Sequence, residues 1–138
     1  MTTEPQYWSW NSYRLVIVAP TCYYYQSALF RDLARNPRIN LKVYFCSEEG
    51  KTGRDVSILH GIDSSWGLGD ELLEGFEYEF LTNYSPMGSY LKRFGLFNPR
   101  IWAKLSHDRP DVVVLLAWNN PTFWLALAAC GMYKIPFL

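Results

Sequence analysis

The chain has 138 residues, of which 49% are hydrophobic and 19% charged, a composition that fits one globular domain and excludes an intrinsically disordered chain. Thirteen basic and thirteen acidic side chains give a net charge of zero, which disfavours a nucleic-acid-binding protein because such proteins are usually basic. Aromatic residues make up 17% of the chain. Aromatic side chains pack cores and also line sites for ring-shaped ligands.

The cysteines and the apolar stretches bear on the cellular compartment of the protein. The chain has three cysteines, Cys22, Cys46 and Cys130, and no two of them have the spacing of paired metal ligands. Because the number is odd, a disulfide framework is disfavoured and a reducing, cytoplasmic compartment is favoured. Residues 1–12 form a polar, aromatic tail without the pattern of a signal peptide. The longest apolar stretch, 123–132, is about ten residues long and too short to cross a bilayer.

Strand-like and helix-like segments alternate in the first half of the chain. Residues 15–19 are apolar and β-branched, and they predict a strand buried on both faces that ends at Pro20. Tyr25, Leu29 and Leu33 recur at helical spacing and predict the apolar face of a helix. The elements predicted in this half are strands at 15–19, 41–45 and 77–81, a helix that ends at Asn36-Pro37, and an irregular stretch at 48–74.

The second half repeats the alternation. Asn98-Pro99 and Asn120-Pro121 each predict a helix start, with Asn as the N-cap and Pro at the first helical position. Residues 112–117 predict the most clearly buried strand of the chain, and 135–138 predict the beginning of a fifth strand. The apolar stripe of the last helix is predicted to consist of Leu125, Ala128, Ala129 and Met132.

Strands separated by helices predict right-handed crossovers and an α/β fold with a doubly wound parallel sheet. The expected strand order is 3-2-1-4-5, with residues 13–138 forming one domain. Because the chain stops within an apolar strand, we expect it to be the N-terminal portion of a longer protein.

A ligand site is predicted where the strand order reverses, between the first and fourth strands, because open parallel sheets bind ligands at the carboxyl ends of their strands there. The two loops that meet at this point carry aromatic, hydroxyl and amide groups but no carboxylate or base, which suits a neutral polyhydroxy ligand. The alternative is that the tyrosines only cap the sheet and pack the core. The predicted ligand-binding residues are Thr21, Tyr23, Tyr24, Tyr25, Gln26, Trp118, Asn119 and Asn120.

Several catalytic motifs are absent from the sequence. It has no phosphate-binding G-x-x-x-x-G-K-[ST], no dinucleotide-binding G-x-G-x-x-G and no hydrolase G-x-S-x-G. His107 is predicted to lie on the surface near a helix end, and His60 to be a solvated residue in the glycine-rich stretch. The sequence therefore identifies no catalytic residue and predicts no metal site.

Basic and aromatic residues are interleaved between residues 91 and 109. The bases are Lys92, Arg93, Arg100, Lys104 and Arg109, and the single acid in this range is Asp108. This pattern predicts peripheral contact with an anionic membrane through 90–105. The alternative is an ordinary amphipathic helix that packs its aromatic residues on the sheet.

The order of several segments resembles that of a known enzyme family. They are 14–20 (RLVIVAP) with the Tyr-rich turn, 28–34 (ALFRDLA), 39–46 (INLKVYFC), 74–81 (EGFEYEFL), 109–114 (RPDVVV), 118–124 (WNNPTFW) and 135–138 (IPFL). Together they are similar to the Rossmann-like N-terminal domain of GT-B-fold glycosyltransferases, the retaining type grouped as family 4. Unlike many relatives, the chain has no Gly-Gly pair after the first strand and no histidine in the cleft loops.

The resemblance implies a hexosyltransferase-like enzyme that moves a sugar from a nucleotide-sugar to a saccharide, lipid-linked or small-molecule acceptor. It implies that this half shapes the acceptor side of the cleft, that no cofactor is needed, and that an absent C-terminal domain binds the donor. The isolated half is then expected to be inactive. The alternatives are a non-catalytic Rossmann-like module that binds a small neutral ligand or a protein, and a membrane-surface adaptor.

Overall fold

The computed structural model describes residues 12–48, 73–86, 88 and 92–138. Most of the predicted tail, the predicted loop residue His60 and residues 90–91 of the predicted membrane segment lie outside these ranges. The elements are β1 (Tyr13–Ala19), α1 (Tyr24–Arg35), β2 (Ile39–Phe45), β3 (Glu77–Phe80), α2 (Arg100–Asp108), β4 (Val112–Leu115) and α3 (Pro121–Tyr133). The predicted alternation of strands and helices is therefore confirmed.

The four strands form one parallel sheet in the order β3-β2-β1-β4. β1 lies in the centre, where Leu15 is opposite Leu41 of β2 and Val112 of β4. The predicted five-strand order is wrong in its last member, because residues 135–138 contribute only an isolated parallel bridge from Phe137 to Val113. Pro136 has no amide hydrogen, which limits the bonds that this segment can donate to a ladder.

Helices cover both faces of the sheet, as the doubly wound prediction requires. Val16 and Val18 of β1 face a core that includes residues of α2 and α3, among them Ile101 and Phe123. The alternate residues of β1 face a second core, which Phe30 of α1 completes. This two-sided burial follows from the period of two in a strand, because successive side chains point to opposite faces.

Two predicted helix faces are only partly correct: Leu33 of α1 and Leu125 and Ala129 of α3 pack against the cores, but the other predicted members are exposed. In α1 the exposed residues include Tyr25 and Leu29, whereas Ser27 and Phe30 are buried. In α3 the predicted stripe contains the exposed Met132, while the buried side chains are Thr122, Phe123, Ala126, Ala129 and Cys130. The sequence of α3 has no charged residue, so its hydrophobic periodicity carries no signal for the buried face.

The predicted burial of the fourth strand is also too high. β4 is four residues long, and only Val113 is fully buried. One side of β4 pairs with β1, while among the described residues its other side forms main-chain hydrogen bonds only with the short segment 136–138, which leaves the strand near the edge of the sheet. An apolar run alone does not distinguish such a strand from a central one.

Candidate functional site

The carboxyl ends of the four strands share one edge of the sheet because all strands are parallel. The described loops at this carboxyl edge are 20–23, 46–48, 81–86, 92–99 and 116–120. α1, α2 and α3 all begin there. Strand order reverses between β1 and β4, so the loops after these two strands flank the predicted crevice.

The loop after β1 combines one buried hydroxyl with exposed aromatic rings. Thr21 is fully buried, and its Oγ1 donates a hydrogen bond to the Ser47 carbonyl oxygen at 3.0 Å. The rings of Tyr23 and Tyr25 stack with their centroids 5.3 Å apart, and Tyr25 is 54% exposed. Thr21 therefore holds the loop against the next strand, and Tyr25 presents a ring to solvent.

Two further predicted residues begin α1. Tyr24 is the first residue of the helix, and its side chain lies outside the described part of the structure. Gln26 is half-buried, and its Oε1 is a buried acceptor that receives no hydrogen bond from the described residues. A buried acceptor without a donor is uncommon, and Gln26 lies in the first turn of α1 beside the crevice.

The three predicted residues of the loop after β4 differ in exposure and in what they bind. Trp118 is 78% exposed, and its carbonyl oxygen accepts a hydrogen bond from the Trp124 indole at 2.8 Å. Asn119 is exposed, whereas Asn120 is buried and its Oδ1 accepts from the Leu96 amide at 3.2 Å. Asn120 is the N-cap of α3 as predicted, but its side chain caps no helix amide. It fixes the neighbouring loop instead.

Asn98 is the central polar residue of this edge, and sequence reasoning gave it a different role. The predicted N-cap of α2 is wrong, because Pro99 occupies that position without a side-chain cap. The buried Asn98 amide nitrogen lies 3.0, 3.1 and 2.9 Å from the carbonyl oxygens of Cys46, Leu81 and Thr82. The Thr122 hydroxyl donates to Asn98 Oδ1 at 2.8 Å. One amide side chain thus joins the ends of β2 and β3 to the start of α3.

A cleft of about 370 Å³ opens above β2 and β3 at the same edge. It is lined by Cys46, Ser47, Glu48, Phe80, Leu81, Thr82, Asn83 and Gly88. The sequence analysis missed this cleft, although polar residues directly after the second and third strands were a usable signal. Asn83 is itself committed to the loop, since its Oδ1 accepts from the Ser85 and Phe97 amides and its Nδ2 donates to the Gly95 carbonyl.

A second cleft, of about 320 Å³, opens at the amino ends of the strands. Its ionisable lining residues, termed here the charged cluster, are Arg14, Lys42, Glu77, His107 and Asp108. Arg14 donates to the Asp108 carbonyl oxygen at 2.9 Å, and Lys42 lies 3.8 Å from Glu77. The position of His107 on the surface confirms its prediction.

Tyr44 anchors the charged cluster from below. Its buried hydroxyl donates to the Asp108 carboxylate, and Lys42 Nζ lies 5.2 Å from the centre of its ring. Burial, the hydrogen bond to Asp108 and the charge of Asp108 raise the pKa of Tyr44 above its ordinary value. Because these groups bind one another and the main chain, we place the candidate site at the carboxyl edge.

The described residues contain no group of side chains that could hold a metal ion. All three cysteines are free and buried, which agrees with the prediction of no disulfide framework. Burial raises the pKa of the Cys46 thiol, and a protonated thiol is a poor nucleophile. The carboxyl edge therefore offers aromatic rings and amides for binding rather than an activated nucleophile.

Within the described part of the chain, no helix has the length and apolar character needed to cross a membrane. A scan of protein-family models, a search of curated proteins and a search of solved structures found no match to this chain.

Proposed function

We propose that the chain is the acceptor-side half of a retaining, GT-B-type glycosyltransferase. The observation that carries this proposal is the position of the loops after β1 and β4. They lie on neighbouring strands at the reversal of strand order and carry aromatic and amide groups but no carboxylate, histidine, lysine or arginine. Such a lining suits the hydroxyls and C–H faces of a sugar.

Three of the predicted residues are well placed to contact a saccharide. Tyr25 and Trp118 expose rings on which the C–H face of a pyranose can stack, and the exposed Asn119 amide can both donate to and accept from hydroxyls. Thr21 and Asn120 are buried and bonded to the main chain, so they position the loops. Gln26 adds an unused acceptor near the crevice.

The proposed reaction requires no acid, base or nucleophile from this half of the enzyme. In a front-face mechanism the departing diphosphate of the donor takes the proton of the acceptor hydroxyl, so the protein's role is to position the acceptor and stabilise charge. The absence of a carboxylate pair from the described residues of the two loops fits this division and disfavours a glycosidase. The donor site belongs to a second domain, and the catalytic residues remain unassigned.

Saccharide binding by the chain itself tests the acceptor site. We would record saturation-transfer NMR spectra with methyl glycosides of glucose, galactose, mannose and N-acetylglucosamine, and with a nucleotide-sugar. At least one glycoside should bind, and Tyr25→Ala should weaken that binding about fivefold because a stacked ring is lost. The nucleotide-sugar should not bind.

The control is Tyr13→Ala, which removes an equally exposed tyrosine from the other end of β1 and should leave binding unchanged. Equal losses in the two variants would contradict the assignment of the crevice. Detectable sugar transfer by residues 1–138 alone would overturn the proposed division between two domains.

A non-catalytic binding module is the second candidate, favoured by the absence of an acid–base pair from the described residues of the crevice loops. The two proposals differ in affinity. An acceptor site should bind weakly, because enzymes commonly operate with KM values of about 1 μM to 1 mM. A submicromolar Kd for one glycoside would instead favour the binding module.

A further inference from the structure

Charge is divided unequally along the chain. Residues 1–80 contain eleven acidic and seven basic side chains, a net charge of −4, whereas residues 81–138 contain two acidic and six basic side chains, a net charge of +4. The two acids of the second part are Asp108 and Asp111. Asp108 binds the Tyr44 hydroxyl and Asp111 accepts from the Arg14 amide, so both lie towards the amino ends of the strands. The loops 81–86, 92–99 and 116–120 of the carboxyl edge therefore contain no carboxylate.

A set of exposed aromatic side chains lies on these loops and on the first turn of α3. This aromatic rim consists of Tyr84, Phe94, Trp118 and Trp124, each at least 47% exposed. The Phe94 and Trp124 rings meet edge to face with centroids 6.0 Å apart, and the Trp124 indole donates to the Trp118 carbonyl oxygen. Phe94, Trp118 and Trp124 are thus neighbours in the fold, and Tyr84 lies on the adjoining loop 81–86.

The loop that carries Phe94 is firmly attached to the fold. The Ser85 hydroxyl donates to the Phe94 carbonyl oxygen at 2.6 Å, and the Tyr84 amide donates to the Phe97 carbonyl oxygen at 2.8 Å. The Asn83 side chain bonds the same loop at two further points. Exposed rings on a loop held in this way lose little conformational entropy when they bind a surface.

Three basic side chains lie beside the aromatic rim at the carboxyl edge. Lys92 and Arg93 directly precede Phe94, and Arg100 begins α2 at the same edge. All three are exposed, and none forms an ion pair with any described residue. By contrast, Lys104 farther along α2 is paired with Glu79 at 3.0 Å. Positive charge at the carboxyl edge is therefore available to an external anion.

We propose that the aromatic rim with Lys92, Arg93 and Arg100 docks on an anionic lipid bilayer. Charge complementarity selects this partner, since the loops 81–86, 92–99 and 116–120 combine interfacial rings with bases that have no described ion-pair partner, and these loops carry no carboxylate. The described carboxylate of the carboxyl edge, Glu48, lies in the loop 46–48. A nucleic acid is a poorer fit because three bases neutralise few phosphates and the whole chain has no net positive charge. The proposal does not depend on the glycosyltransferase proposal, because it uses only the exposed rings and bases of this edge; Trp118 is the member of the rim that also flanks the proposed saccharide crevice.

Vesicle co-sedimentation of the chain tests this inference. Vesicles of phosphatidylcholine containing about 30 mol% phosphatidylglycerol should bind the chain, pure phosphatidylcholine vesicles should bind it at least tenfold more weakly, and high salt should release it. Equal binding to both vesicle types, or no binding to either, would overturn the proposal. Stronger competition by single-stranded RNA than by anionic vesicles would also overturn it.

Matched variants locate the surface. Lys92→Glu with Arg93→Glu should reduce binding to anionic vesicles at least tenfold, and Phe94→Ala should reduce it by a smaller factor. Arg35→Glu with Arg38→Glu makes the same change of charge at the far end of α1 and should leave binding within twofold. Circular dichroism confirms that each variant is folded. Equal losses in the two double variants would show that only net charge matters and would refute the docking surface.

Discussion

The two ends of the sheet differ in the kind of polar side chains they hold and in what these side chains bind. At the carboxyl edge, neutral amides and hydroxyls such as Asn98, Asn120 and Thr21 are buried and bind the main chain. At the amino end, the charged cluster is held by contacts such as those from Arg14 and Tyr44 to Asp108. Rings and bases are exposed around the first arrangement, whereas in the second Arg14, Tyr44 and Asp108 use their polar groups in contacts within the fold.

This difference distinguishes polar groups that are bonded within the fold from polar groups that are exposed and can bind a ligand. The cleft lined by the charged cluster is nearly as large as the cleft at the carboxyl edge, about 320 Å³ against about 370 Å³. Size alone therefore does not identify the site. What distinguishes the carboxyl edge is that it exposes neutral binding groups, among them the Trp118 ring and the Asn119 amide, whose Oδ1 accepts only one long hydrogen bond, from Asn120.

The sharpest way to test the carboxyl edge is to remove its buried amide. Asn98→Ala takes away the donor that faces three carbonyl oxygens. It also removes the Oδ1 that accepts from the Thr122 hydroxyl. We expect the free energy of unfolding to fall by roughly 3 kcal/mol, measured by urea denaturation. The loss should be visible as a lower midpoint.

Asn119→Ala is the matched control for this prediction. It makes the same substitution at an exposed asparagine of the same edge, whose Oδ1 accepts a single long hydrogen bond from Asn120 at 3.3 Å, and should lower the free energy of unfolding by about 1 kcal/mol or less. If the two variants were equally stable, the amide of Asn98 would not hold the edge together.

A smaller effect is expected at the other end of the sheet. Tyr44→Phe removes the hydroxyl that binds Asp108 and should lower the free energy of unfolding at pH 7 by about 1–2 kcal/mol. Burial and Asp108 raise the pKa of Tyr44, so above pH ~10 the unfolded chain loses this proton while the folded chain keeps it. The stability of the original chain should therefore fall with rising pH.

Urea denaturation curves at pH 7 and above pH ~10 check the sign of this prediction. The difference in free energy of unfolding between the original chain and Tyr44→Phe should shrink at the higher pH, because the phenol of the unfolded chain then ionises. The raised pKa of Cys46 acts in the same direction in both proteins and cancels in the difference. An advantage that grows with pH would contradict the account of the Tyr44–Asp108 contact.

The order of the elements could be predicted because each carries a local signal. Asn36-Pro37 ends α1 and Pro121 begins α3, as expected from the fixed φ angle of proline and its missing amide hydrogen. Parallel pairing of β1 with β4 follows from the helices between the strands. These features depend on neighbours in the chain, so a single sequence reveals them.

The site was less predictable because it depends on distant partners. Asn98 has the sequence context of an N-cap, yet its side chain binds residues 16 to 52 positions away. Asn119 and Asn120 are adjacent and alike in sequence, but one is exposed and the other buried. The uniformly apolar α3 likewise hides which of its faces meets the sheet.

The central claim is that ligands bind at the carboxyl edge and not at the charged cluster. Its most direct test is a ¹H–¹⁵N NMR titration of the chain with the glycoside that gives the strongest saturation transfer. The account predicts shifts centred on Tyr25, Trp118 and Asn119. Shifts centred on Arg14, Lys42 and His107 would contradict it and would move the site to the opposite end of the sheet.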